Sequence, residues 1–476
     1  MWQAFKNIFR IQDLRDRILF TVAMIAIYRA GSFIPCPFIS VDKMQDTFSH
    51  TGAGAGLFGV ADMFTGGAFS KMTIMALGIM PYISASIILQ LMMIVVPKLE
   101  KMSREGEAGR KKINQMTRIG TVVLALVQGF GVSLFILNEN KKEGNLILPM
   151  MADHGALFAL ITMITVATGT TFLMWLGEKI SEKGIGNGVS MVIAMGIVAR
   201  YPTYLHQSIV SANLEAFRPI WFPLVAALCV FATVVIILVQ EGSRKIPIQH
   251  AKQVSGRRLA ASQTNYLPLK INTAGVMPVI FASAILTLPG TIFGWIGTKG
   301  NQGIVAEWFG MQSRFNVYNM FNLTHEGAFL LLKAINLHTV LFVVLTIFFC
   351  FFYTAIVFKP QDVADNLRRV GAFVPGYRPG KPTSDYIDTV MTRITLVGAV
   401  FLCFIALIPQ FLMVSFELPY SLADFAGGTG LIIVVAVVLD TMKQIESRML
   451  MRHYDGFRSR RQASGGRRWA AKERNA

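Results

Sequence analysis

The sequence predicts an all-α polytopic membrane protein with ten transmembrane helices, on three observations. The chain is 53% hydrophobic and only 15% charged, where a soluble domain is about a quarter charged. Apolar runs long enough to cross a bilayer recur along all 476 residues, and only helices or closed barrels can span lipid. Lys and Arg fall mainly in every second connection between those runs, the pattern that fixes orientation.

Taken in order, residues 1–17 form a cytoplasmic N-terminal segment carrying Lys6, Arg10, Arg15 and Arg17. It looks like the n-region of a signal peptide. No small-residue cleavage site follows, however, and nine further runs come after the first, so that run is expected to stay in the protein. The ten runs are 18–37, 73–96, 119–138, 156–176, 187–205, 219–240, 275–296, 337–358, 393–414 and 425–442. The side that holds the N-terminus carries 35 of the 45 Lys and Arg, so both termini are expected in the cytoplasm. The net charge of +18 is then mostly cytoplasmic. The basic tail, 447–476, reads first as orientation plus attraction to anionic lipid, and second as a docking surface for an acidic partner such as ribosomal RNA.

Between the first two runs stands "GLFGVADMFTGG", residues 56–67. Leu57, Val60, Ala61 and Phe64 recur at helical spacing, with Phe58 and Met63 beside them and glycines at both ends. Two to three helical turns cover roughly 15 Å, about half a bilayer core. The stretch is too short to span and too apolar for an ordinary loop.

The runs themselves argue against several functions. Apart from Arg29, their centres are read as free of Asp, Glu, Lys and Arg, whereas proton-coupled pumps place a carboxylate or histidine in the membrane. Arg29 is expected to be paired or to snorkel, and His338 to be a satisfied interfacial histidine. No HExxH, GxSxG or Walker A pattern occurs, and the prolines of "GYRPGKPT" are wrong for a phosphate loop. Cys36, Cys229, Cys350 and Cys403 show neither metal nor disulfide spacing. No enzyme, cofactor or metal is therefore expected. An ion-coupled secondary transporter of a small solute remains the alternative, because backbone carbonyls can hold sodium.

Two cytoplasmic connections carry structure of their own. In 241–269, "KIPIQHAKQ" and "RRLAASQTNYLPL" flank "SGRR", which predicts a hairpin. In 358–388, "QDVADNLRRVG" predicts a short helix ending at Gly371, and "VPGYRPGKP" a run of turns that presents Arg378. Ordered proline-rich loops favour partner binding.

Several long motifs then make the chain similar to one family. "GIMPYISASIILQ" (Gly78 to Gln90) and "WLGEKISEKGIGNGVSMVI" (Trp175 to Ile193) resemble the signature stretches of bacterial SecY, the pore subunit of the protein-translocation channel. "KINTAGVMPVIFASAI", "GAFVPGYRPG" and "FAGGTGLIIVV" match as well. The resemblance runs from about residue 15 to residue 450 with all ten runs in order. It is weakest in the extreme tail and in the connection from Ile296 to Lys333.

The resemblance implies two five-helix halves, 18–205 and 206–446, around an hourglass pore. The apolar stretch, extended to about 56–69, falls where the family has its plug helix, with Leu57, Phe58, Val60, Met63 and Phe64 as plug residues. The pore ring is implied to be Ile79, Ile83, Val189, Ile193, Ile280 and Ile433. Branched aliphatic side chains offer water and ions no partner, so a narrow ring of them resists ions by dewetting. Ser84, Ser86, Gln90 and Asn272 would sit at a lateral gate between the second and seventh runs. Membrane hydrogen bonds there are worth about 0.6 kcal/mol each, so a hydrophobic signal helix can compete with them. Arg257, Arg258, Arg378 and Tyr386 are implied to dock a motor or ribosome. The implied partners are SecE and SecG in a heterotrimer, the SecA ATPase, the ribosome, SecD, SecF, YidC, secretory precursor proteins and anionic lipid. The implied location is the bacterial inner membrane. The implied role is to conduct unfolded secretory chains and release hydrophobic helices sideways into lipid.

Overall fold

The computed structural model describes residues 11–50, 62–143, 146–151, 154–213, 220–250, 254–255, 258–259, 264–296, 336–416, 418 and 420–473. Its helices follow the apolar runs. They are α1 (Gln12–Gly31), α2 (Val41–His50), α3 (Met80–Val95), α4 (Pro97–Arg104), α5 (Glu107–Glu143), α6 (Gly155–Lys183) and α7 (Gly188–Asn213). After them come α8 (Trp221–Glu241), α9 (Met277–Ile296), α10 (Leu337–Val357), α11 (Pro360–Arg369), α12 (Lys381–Phe416), α13 (Tyr420–Phe425) and α14 (Gly428–Glu473). Among the described residues seven helices are long and apolar enough to cross a membrane, and eight if α3 and α4, bent by 101° at Pro97, count as one span. With α1 and α9, the helices occupy the places of all ten predicted runs. The chain is a multi-pass membrane protein.

Their ends depart from the hydropathy edges for local reasons. The second run was expected from residue 73, but α3 starts only at Met80, where Pro81 supplies the pre-set φ of a first helical turn. Residues 66–79 before it form turns, with Gly78 at φ +56°. The first helix stops at Gly31 rather than near residue 37, because Pro35 and Pro37 cannot continue it. Conversely α5, α12 and α14 continue past the apolar residues into polar ones that are good helix formers.

The predicted hairpin is present. Strand β1 (Ser243–His250) pairs antiparallel with β4 (Thr264–Lys270), in register from Ser243↔Lys270 to Gln249↔Thr264. A small ladder of β2 (Val254–Ser255) and β3 (Arg258–Leu259) stands at its tip. An unexpected strand, β5 (Ala372–Phe373), joins from the 358–388 connection onto β1 and makes the sheet three-stranded. Beneath it Ile246, Leu269, Val374, Ile387, Val390 and Met391 form one apolar cluster. The predicted short helix is α11, and Gly371 follows it at φ +69°.

Helix α9 packs on α3 and α5, and α13 and α14 pack on α7.

Candidate functional site

Among the described residues the largest buried cluster joins α3, α7, α9 and α14 with parts of α8, α10 and α12. Ile79, the residue capping α3, and Ile83, one turn into it, are 2% and 4% exposed. Ile193 of α7, Ile280 of α9 and Ile433 of α14 are equally deep, and Met63 and Phe64 belong to the same cluster. Val189, at the start of α7, is half-buried and packs against it. Ring and plug residues drawn from five separate segments thus come together in one apolar body. The remaining plug residues, Leu57, Phe58 and Val60, lie outside the described residues, as does Arg257.

Met63 and Phe64 stand on a single helical turn, residues 62–65, whose base is held by polar contacts. Arg200 Nη1 of α7 pairs with Asp62 Oδ2 at 2.6 Å. The Ser70 N–H donates to Asp62 Oδ1 at 2.9 Å. The Tyr28 hydroxyl donates to the Thr65 carbonyl at 3.3 Å, and Arg29 Nη1 to the Gly66 carbonyl at 3.4 Å. Gly66 has φ +68°, and a Cβ there would stand 2.9 Å from the Gly196 carbonyl oxygen of α7. A side chain is excluded at Gly66 both by conformation and by that close approach.

These contacts revise the expectation for charge inside the runs. Arg29 is paired as expected, and it also lies 5.4 Å from the Phe33 ring centre. Arg200 is a second charge inside a run, the fifth, against the expectation that Arg29 stands alone. It carries the ion pair and stacks 4.6 Å over the Tyr204 ring. The signal was present in the sequence: an Asp within an apolar stretch and an Arg within an apolar run call for one another. His338 departs from expectation too. Its ring stacks on Phe342, but Nδ1 is buried with no hydrogen-bond partner.

Of the candidate gate residues, Ser84, Ser86 and Gln90 lie on α3 and Asn272 just before α9, and the bonds they make are local. Gln90 Nε2 donates to Ser86 Oγ one turn earlier on α3, at 3.1 Å. Asn272 Nδ2 donates to the Gly275 carbonyl, at 2.9 Å. Ser84 is buried. In the docking set, Arg258 falls in β3 and Arg378 is exposed on a turn before α12. Tyr386 stacks on Tyr377 with ring centres 4.1 Å apart, and Thr383 Oγ1 donates to the Arg378 carbonyl at 2.7 Å. The turn is thereby stiffened around an outward guanidinium.

A bundle of spanning helices whose main apolar cluster also takes in a short non-spanning turn is the arrangement found in protein-conducting channels. Two solved structures share it. One, described as a protein conducting channel, superposes with a TM-score of 0.61 over 91% of this chain and 92% of that one, at 18% identity. The other, Sec61 in a canine ribosome–channel complex from the endoplasmic reticulum, superposes at 0.60 over the same shares, at 17% identity. The SecY family model matches residues 73–442. Protein translocase subunit SecY of Escherichia coli strain K12 is 42% identical over 443 residues, 93% of each chain. The subunit of the same name from Vibrio cholerae is 40% identical over 446 residues, 94% of each. The chain belongs to the SecY family.

Proposed function

We propose that this chain is the central channel subunit of an inner-membrane protein translocase, with Ile79, Ile83, Val189, Ile193, Ile280 and Ile433 as its pore ring. The observation that carries the assignment is the shared cluster of five of those residues with Met63 and Phe64. An apolar ring sealed by an apolar turn excludes ions, yet yields to a passing peptide because dispersion contacts are individually weak and non-directional. The 56–69 segment is then the plug. The α3–α9 contact is the lateral gate, and its local rather than cross-gate hydrogen bonds mean that parting the helices breaks few polar contacts.

In the same reading both termini and the three-stranded sheet face the cytoplasm, in keeping with the excess of Lys and Arg there. Arg257, Arg258, Arg378 and Tyr386 present a motor or ribosome with guanidinium forks and a stacked aromatic, groups suited to carboxylate and phosphate partners. SecE and SecG complete the heterotrimer, and SecA consumes the ATP. The test is reconstitution of the chain with SecE, SecG and SecA in vesicles. ATP-dependent import of an unfolded precursor is the expected result. Uptake of a small solute with no precursor import would support the transporter instead.

A further inference from the structure

Where α7, α13 and the 62–65 turn meet, one buried acidic side chain is paired with a guanidinium and a second is not. Asp62 and the Arg200 side chain are 6% and 17% exposed and form the 2.6 Å pair. Asp424, on α13, is also 6% exposed. Its helix packs on α7, and Tyr201 of α7 lies edge-on against Phe425 beside it, 5.2 Å between ring centres. Yet Asp424 Oδ2 is buried with no hydrogen-bond partner. A buried acceptor left unsatisfied destabilises the fold that contains it, so its presence asks for a second arrangement in which it is satisfied. Asp424 lines a cavity of about 60 Å³ together with Met63, His338, Gln410 and Thr429.

We propose that Asp424 is a positioning residue for the plug: the reserve carboxylate that receives Arg200 when Asp62 leaves. The proposal rests on the plug reading above. Moving the 62–65 turn takes Asp62 from Arg200, and removing one partner of a buried ion pair is strongly unfavourable because it strands the other charge. The same movement takes Met63 out of the cavity wall beside Asp424. The site from which one carboxylate withdraws is therefore the site where space opens next to the other. An arginine suits this handover, since its planar fork offers several donors and can turn from one acceptor to the next. One guanidinium–carboxylate pair is kept in both states, and the closed and open channels stay close in free energy.

The experiment uses the reconstituted translocase with its four native cysteines replaced and Phe64→Cys introduced. Labelling by a membrane-impermeant thiol reagent is compared between idle channels and channels jammed with a trapped precursor. In the parent, jamming raises labelling. Asp424→Asn should cut that rise on the order of tenfold, the size of one charge-assisted hydrogen bond, and Asp424→Glu should restore it. In an Arg200→Gln background, or Arg200→Met if that variant does not accumulate, Asp424→Asn should have no further effect. An undiminished rise with Asp424→Asn overturns the proposal and leaves the plug intact. An equal loss with and without Arg200 overturns it in favour of simple packing. Equal labelling of idle and jammed parent channels removes the plug reading itself, and the proposal with it.

Discussion

Ile79, Ile83, Ile193, Ile280 and Ile433 bring no polar side-chain atom to their cluster, whereas Asp62, Thr65 and Gly66, neighbours of Met63 and Phe64 in that same cluster, are held by an ion pair and three hydrogen bonds. The two regions touch but resist displacement differently. Dispersion and hydrophobic contact have no preferred direction, so the isoleucines can part around an object and close again. The base of the plug turn is directional. Its contacts are either made or broken, and parting Asp62 from Arg200 is unfavourable until the guanidinium reaches another carboxylate. In the proposed channel the ring would supply compliance and the base a threshold. A channel that admits only chains with a sufficient signal needs both properties, and this molecule keeps them on different residues.

The division can be broken at four points, from the largest expected effect to the smallest. Asp62→Ala removes the carboxylate that holds the turn to Arg200 and should weaken seating of the turn by about 3 kcal/mol, roughly a hundredfold in its equilibrium. Planar-bilayer recordings of idle channels should show raised ion leak. A wild-type leak would mean that the pair does not hold the plug. Ile433→Asn introduces an unsatisfied amide at a fully buried position and should cost about 2 kcal/mol. It should wet the ring and let precursors with defective signals pass, which an export assay with a crippled signal sequence reads directly. Gly66→Ala meets both the positive φ and the Gly196 carbonyl, a penalty of about 1–2 kcal/mol for conformation alone. Here leak should rise while export of intact precursors persists, since the ring is untouched. Val189→Ile adds one methylene to the half-buried member of the ring, worth at most about 0.8 kcal/mol. It should lower the residual leak of Gly66→Ala slightly, and an unchanged leak would place Val189 outside the seal.

Much of this architecture could be read from the residues. The apolar runs located all ten helices because a spanning segment cannot hide its composition. The hairpin and α11 announced themselves through turn residues and a capping glycine. The convergence of ring positions followed from motifs, not from spacing, since isoleucines four apart are common in any helix. Helix ends were the weaker part. Hydropathy stops at the bilayer surface, while α5, α12 and α14 do not, because polar helix formers keep extending the hydrogen-bond ladder. The start of α3 depended on backbone conformation at Gly78 and Met72, which composition does not encode. Asp62 and Arg200 are far apart in the chain, and the pair exists only because Gly66 and Gly196 let two backbones approach. Asp424 gave no hint at all, since its distinction is a missing partner.

The two residues of β5 deserve a mechanical reading. Gln249↔Phe373 and His250↔Ala372 fasten the connection between α8 and α9 to the connection between α10 and α12. Without that seam the two loops would be separate handles, each tugging its own pair of helices. With it they form one stiff plate, and a load applied anywhere on the plate is divided among four helices at once. One of these is α9, the wall that faces α3. In the proposed channel a motor pushing on the Arg378 turn would also lean on that wall, so that pressure delivered outside the bilayer would become torque between α9 and α3.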